Sequence, residues 1–97
     1  MAIVKTTRKQ ERTWLGIRGE SWDFLATTRS LGRRVGALRW LEDNPNTGRS
    51  AGDLVLKDMT GDFWRGADTA VLHDEVVIPN GTDDDALRYA QRRLSDS

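Results

Sequence analysis

The chain contains no cysteine and only one histidine, His73, among its 97 residues. Disulfide frameworks, thiolate metal sites, iron–sulfur clusters and cysteine nucleophiles are therefore excluded. No run of apolar residues approaches the length of a membrane span, so we expect no membrane partner. The absence of cysteine is typical of a reducing compartment, and we expect a cytoplasmic protein.

Catalytic motifs are also lacking. No glycine-rich loop has the spacing that cradles nucleotide phosphates, and a triad cannot be assembled reliably around His73 alone. In an extended strand, His73 and Asp74 point to opposite faces. Three consecutive carboxylates, Asp83 to Asp85, fan around a helix and cannot converge on one ion. The sequence therefore predicts no enzyme, no catalytic residue, no metal site and no cofactor.

Charge is distributed unevenly along a chain whose net charge is zero. Residues 1–50 carry ten basic and five acidic side chains, and residues 51–97 carry five basic and ten acidic ones. Such asymmetry indicates electrostatic pairing, either between the two halves or with an external partner.

The C-terminal segment has every signal of a helix over residues 82–94. Thr82 is a good N-cap, and the three aspartates that follow it lie where the helix dipole favours anions. Leu87, Ala90 and Leu94 fall on one face, which we expect to pack on a sheet. The sequence therefore predicts a small single α+β domain, a twisted antiparallel sheet of three to five short strands with this helix on one face.

Two interpretations are open for residues 21–43. In the first, Trp22–Thr28 and Arg34–Glu42 are strands of a hairpin with Leu31-Gly32 at the turn, which pairs Trp22 with Leu41. Both faces of that hairpin are apolar, so one face is either covered or available to a partner. In the second, the segment is a helix–turn–helix with a basic second helix. The β-favouring residues Trp22, Phe24, Thr27 and Thr28 favour the hairpin.

The N-terminal segment is polar and basic. Residues 1–12 show no apolar periodicity, so we expect a flexible arm preceding a domain over residues 13–97.

The favoured function is a non-enzymatic interaction module, regulatory or inhibitory, that docks on a larger protein and comes from a bacterium or a mobile element. Tryptophan and arginine dominate many protein interfaces, and the hairpin supplies both. The predicted partner-binding residues are Leu25, Arg29, Arg33, Arg34, Leu38 and Trp40.

Three other functions stay open. The strongest is nucleic-acid binding, through the helix–turn–helix or through a basic hairpin to which Arg8, Lys9 and Arg12 of the arm could add. The acidic region over residues 53–75 could imitate the phosphates of DNA. A small hydrolase centred on His73 is the remaining alternative.

Overall fold

The computed structural model describes residues 4–27, 34–58 and 75–95, which form one antiparallel sheet and one helix. The predicted α+β class is confirmed. The elements in chain order are β1 Val4–Thr6, β2 Gln10–Trp14, β3 Ile17–Ala26, β4 Arg34–Trp40, β5 Leu54–Asp58, β6 Val76–Ile78 and α1 Asp83–Ser95. Strands β3 to β6 pair in chain order, and both β1 and β2 pair with β3. None of the described residues belongs to a helix long and apolar enough to cross a membrane.

Strands β3 and β4 form the predicted hairpin, so the helix–turn–helix interpretation is wrong. Their register places Trp22 opposite Ala37, four residues along β4 from the expected Leu41. The register that is observed therefore does not centre the connection on Leu31-Gly32, as the sequence predicts. Because the shift is an even number of residues, each side chain keeps the face that the sequence predicts.

The segment predicted as a flexible arm contains two strands instead. β1 pairs with the C-terminal half of β3 and β2 with its N-terminal half. Leu15 and Gly16 join β2 to β3 with φ values of 51° and 81°, the positive pair that tight hairpin turns require. An edge strand is held by backbone hydrogen bonds, so it needs no apolar periodicity. With these two, the sheet has six strands within the described residues, against the three to five expected.

The predicted C-terminal helix is confirmed, with Thr82 as its cap. The Asp85 amide donates to Thr82 Oγ1 at 3.2 Å, and the Thr82 amide donates to the Asp85 carboxylate at 2.9 Å. Ala86, Ala90 and Leu94 are buried on one side of α1. The core residues that they meet on the sheet are Trp22, Phe24, Val35, Ala37, Leu54 and Leu56.

The opposite face of the sheet, called here the helix-free face, has a smaller apolar cluster. Leu38, Trp40 and Val55 are buried there, and Trp14, Ile17 and Val77 pack against them. The rest of this face, towards β1 and the start of β4, carries Lys5, Asp23 and Arg34 together with Leu25. The two halves of the face therefore differ in chemistry.

Candidate anion-binding cleft

A notch interrupts the edge of the sheet where β1 ends and β2 has not begun. Residues 7–9 cross this notch beside the middle of β3. Thr7 fixes the crossing, since its amide donates to the Asp23 carbonyl at 2.8 Å and its hydroxyl accepts from the Asp23 amide at 2.6 Å. The hydroxyl lies 3.1 Å from the same carbonyl. The notch is therefore a defined part of the fold.

A cleft of about 410 Å³ opens at the notch. Strand pairing aligns Gln10 with Ser21 and Leu25 with Arg34, and puts these side chains on the helix-free face. The cleft is lined by Thr7, Arg8, Gln10, Arg12, Ser21, Trp22, Asp23 and Arg34. It will be called the basic cleft.

The lining of the basic cleft has an excess of positive charge. Arg8, Arg12 and Arg34 contribute guanidinium groups, and Asp23 contributes the one carboxylate among the described lining residues. Arg34 Nη1 lies 3.8 Å from Asp23 Oδ2, and the Arg34 side chain is 17% exposed. Arg12 Nη2 donates to Gln10 Oε1 at 2.7 Å, which orients that guanidinium.

Two lysines extend this charge across the sheet. Lys5 on β1 pairs with Leu25 on β3, and Lys57 on β5 pairs with Gly36 on β4. Both lysines therefore fall on the helix-free face. Gly36 lies between Asp23 and Lys57 in the same cross-strand row and has no side chain to fill the space above it. The basic half of the face thus reaches from β1 to β5.

On the side of the sheet that carries α1, four charged residues beside the notch form ion pairs with one another. They are Lys9, Glu20, Arg39 and Asp83, called here the charged cluster. Lys9 forms ion pairs with Asp83 and, at 3.8 Å, with Glu20. Its ammonium lies 4.6 Å from the centroid of the Trp22 ring. Arg39 binds the same two carboxylates, and its guanidinium carbon is 5.3 Å from that ring. The cluster therefore fixes Lys9, and with it the backbone that carries Arg8.

The charged cluster changes the acidity of Asp83. Hydrogen bonds from Lys9 and then Arg39 lower the pKa of the Asp83 carboxyl below its usual value. The carboxylate stays ionised at neutral pH and keeps both cations on the helix side of the sheet.

The predicted partner-binding residues differ in their location and exposure. Arg34 lines the basic cleft, and half-buried Leu25 lies opposite it on the helix-free face. Leu38 and Trp40 are 1% and 2% exposed, so they do not form the accessible docking patch expected from the sequence. Trp14 accounts for part of this burial, since its ring meets that of Trp40 edge-on at 5.9 Å.

Arg29 and Arg33 lie outside the described residues, as does His73.

Four cleft residues come from the segment predicted to be an arm, and two of them are the basic residues Arg8 and Arg12. The sequence identifies Arg8 and Arg12 as basic residues that could add to the hairpin, but it does not place them beside Ser21 and Asp23. The signal that could have done so is Leu15-Gly16 between two β-favouring residues, Trp14 and Ile17.

The arrangement suits the binding of an anion. Guanidinium groups present planar pairs of N–H donors that match phosphate and carboxylate oxygens, and Ser21 adds a hydroxyl group at the cleft wall. Within residues 4–27, 34–58 and 75–95, no three His, Asp or Glu side chains are grouped so as to hold a metal ion.

Comparison with known proteins adds little. No family model and no solved structure matches the chain. A similar curated protein is "Protein TIC236, chloroplastic" from Arabidopsis thaliana, 29% identical over 93 residues. The match takes in 79% of this chain and 4% of TIC236, so the chain spans a small part of that protein's length. The bacterial or mobile-element origin expected from the sequence stays a prediction.

Proposed function

We propose that this chain is a non-enzymatic binding module that holds the phosphate backbone of a single-stranded nucleic acid in its basic cleft. The observation that carries the proposal is the convergence of Arg8, Arg12 and Arg34 on one cleft with a single carboxylate among its described lining residues. Phosphate contacts of this kind supply most of the affinity in nucleic-acid binding that is independent of sequence.

The position of the cleft supports a single strand over a duplex. Major-groove recognition uses a protruding helix or ribbon, whereas α1 packs on the other side of the sheet. Single-stranded nucleic acids instead bind along basic grooves on sheet surfaces, where the bases stay accessible. Lys5 and Lys57 flank the cleft on the same face and would lengthen such a path.

The proposal replaces the protein-docking function that the sequence favours. That function depended on Leu38 and Trp40 being accessible, and both are buried. The basic-hairpin alternative is kept in part, since Arg34 is joined in the cleft by Arg8 from the notch and Arg12 from β2. Because the net charge of the chain is zero, binding depends on this local concentration of charge and should weaken steeply as salt rises.

The test is fluorescence polarisation with a labelled oligothymidylate of about twelve nucleotides, at a series of salt concentrations. Arg8→Gln and Arg12→Gln should each weaken binding and reduce the slope of log K against log salt by roughly 0.7. Arg92→Gln, on the exposed side of α1, removes the same charge far from the cleft and should leave both quantities unchanged.

Two results would oppose the proposal. Equal losses for Arg12→Gln and Arg92→Gln would show that the cleft is not the site. Tight binding of polyglutamate with none of oligothymidylate would identify an acidic protein segment as the ligand instead.

A further inference from the structure

Trp14 lies at the boundary between the basic and the apolar halves of the helix-free face. It is half-buried at the end of β2, two residues beyond Arg12 and on the same face. Two residues of extended strand place their Cα atoms about 7 Å apart. A nucleic-acid backbone held at Arg12 therefore brings its next base within reach of the Trp14 ring.

The position of the Trp14 ring is fixed by a glycine. A Cβ at Gly19 would lie 2.8 Å from Trp14 Cζ3 and 3.2 Å from Cε3, so the ring occupies space that any other residue would claim. Trp40 holds the ring from the side, in an edge-on contact at an interplanar angle of 77°. The indole is thus held in place before any ligand arrives, and part of it remains exposed.

The surroundings of Trp14 are apolar, unlike those of Arg12. Ile17 is directly opposite in the strand pairing, and Leu15, 61% exposed, is next in the chain. Phosphate would gain nothing at such a position, whereas the flat face of a base would bury apolar surface there. The Arg12 guanidinium thus suits the phosphate of a nucleotide, and the Trp14 indole two residues away suits its base.

We infer that Trp14 is a stacking platform for an unpaired base of the strand whose phosphates occupy the basic cleft. This inference rests on the proposed function, and it specifies the ligand further. The ligand must carry exposed bases as well as phosphates, because a duplex keeps its bases stacked on one another. Stacking on an aromatic side chain tolerates any base, so little sequence preference is expected.

The test compares two ligands of equal length and charge, an oligothymidylate and a strand of the same sugar–phosphate backbone without bases. The wild-type chain should bind oligothymidylate about five-fold to a hundred-fold more tightly than the abasic strand. Trp14→Ala should remove this preference and leave the affinity for the abasic strand unchanged. Trp14→Phe keeps an aromatic ring and should retain part of the preference.

A second measurement needs no substitution at Trp14 and covers the case in which Trp14→Ala fails to fold. A strand containing 5-bromodeoxyuridine, irradiated on the wild-type chain, should crosslink to Trp14, as located by mass spectrometry of the digested complex.

The two proposals fail in different ways. Equal wild-type affinity for the two ligands, both lowered by Arg12→Gln, would overturn stacking and leave phosphate binding intact. Crosslinking confined to residues other than Trp14 would likewise overturn it. If the wild-type chain bound neither ligand, the proposed function would fall and this inference with it.

Discussion

Arg39, on the central strand β4, reaches the first turn of α1, where its Nη2 lies 2.8 Å from Asp83 Oδ1. The same nitrogen donates to the Gly81 carbonyl at 3.1 Å. Lys9 binds Asp83 from the other side, so one carboxylate joins the helix, the sheet and the loop that crosses the notch. Docking of the helix and the shape of the basic cleft therefore depend on a shared group of charges.

This sharing predicts a pH dependence of stability. The pKa of Asp83 is lower in the folded chain, so its contribution is present above the unfolded value and is lost as pH falls through the folded one. Asp83→Asn should reduce the free energy of unfolding at neutral pH by up to about 1 kcal/mol. It should also flatten the decline of the free energy of unfolding as pH falls below about 4, measured by urea denaturation.

The matched control is Asp84→Asn, one residue along on the exposed side of the same turn. It removes an equal charge from the helix N-terminus without touching Lys9 or Arg39. Identical pH profiles for the two variants would show that the helix dipole, and not the charged cluster, accounts for the effect.

A second prediction concerns the glycine under Trp14. Gly19→Ala places a methyl group 2.8 Å from Trp14 Cζ3 and 3.0 Å from Leu38 Cδ1, so the indole must move. We expect a loss of about 1 to 3 kcal/mol in the free energy of unfolding. In a Trp14→Ala background the same substitution should cost less, because the ring is absent and only the contact with Leu38 remains. A double-mutant cycle in urea measures the difference, and additive losses would contradict the contact.

The turn between β2 and β3 gives a third prediction. Leu15 has a φ of 51°, which favours asparagine over leucine, and its side chain is largely exposed. Leu15→Asn should therefore raise the free energy of unfolding by about 0.5 kcal/mol, and Leu15→Val should lower it. Thermal unfolding followed by circular dichroism would detect the change. A lower melting temperature for Leu15→Asn would mean that the exposed leucine makes a stabilising contact.

Helix ends and strand faces are predicted correctly from the sequence where a single local residue pattern determines them. Thr82 and the aspartates after it define the start of α1, and alternation assigns Trp22 and Leu38 to opposite faces of the sheet. Strand register is not predicted correctly, because it depends on contacts between segments that are distant in the sequence. The register of β3 with β4 differs by four residues from the one expected, because a turn residue such as Gly32 does not by itself fix which residues of the two strands pair.

The candidate site illustrates the same limit. Arg34 is predictable as a basic hairpin residue, but the basic cleft also needs Arg8 and Arg12, which reach it through pairing of polar edge strands with β3. Leu38 and Trp40 are predicted on the correct face, yet they are buried, in part because Trp14 packs across Gly19. Burial on a sheet face depends on neighbours that pairing brings together, so composition alone does not reveal it.

The last prediction links the notch to binding through Thr7, whose hydroxyl accepts from the Asp23 amide at 2.6 Å. Thr7→Val keeps the volume and the β-branched shape but leaves that half-buried amide without its acceptor, which should cost about 1 to 3 kcal/mol of stability. The neighbouring residue Arg8 should then lose its fixed position, so affinity for oligothymidylate should fall even though no charge has changed. Thr7→Ser restores the hydroxyl and should recover both quantities. Thermal unfolding and fluorescence polarisation on the three chains test this, and wild-type affinity in a destabilised Thr7→Val chain would show that the notch does not position the arginine.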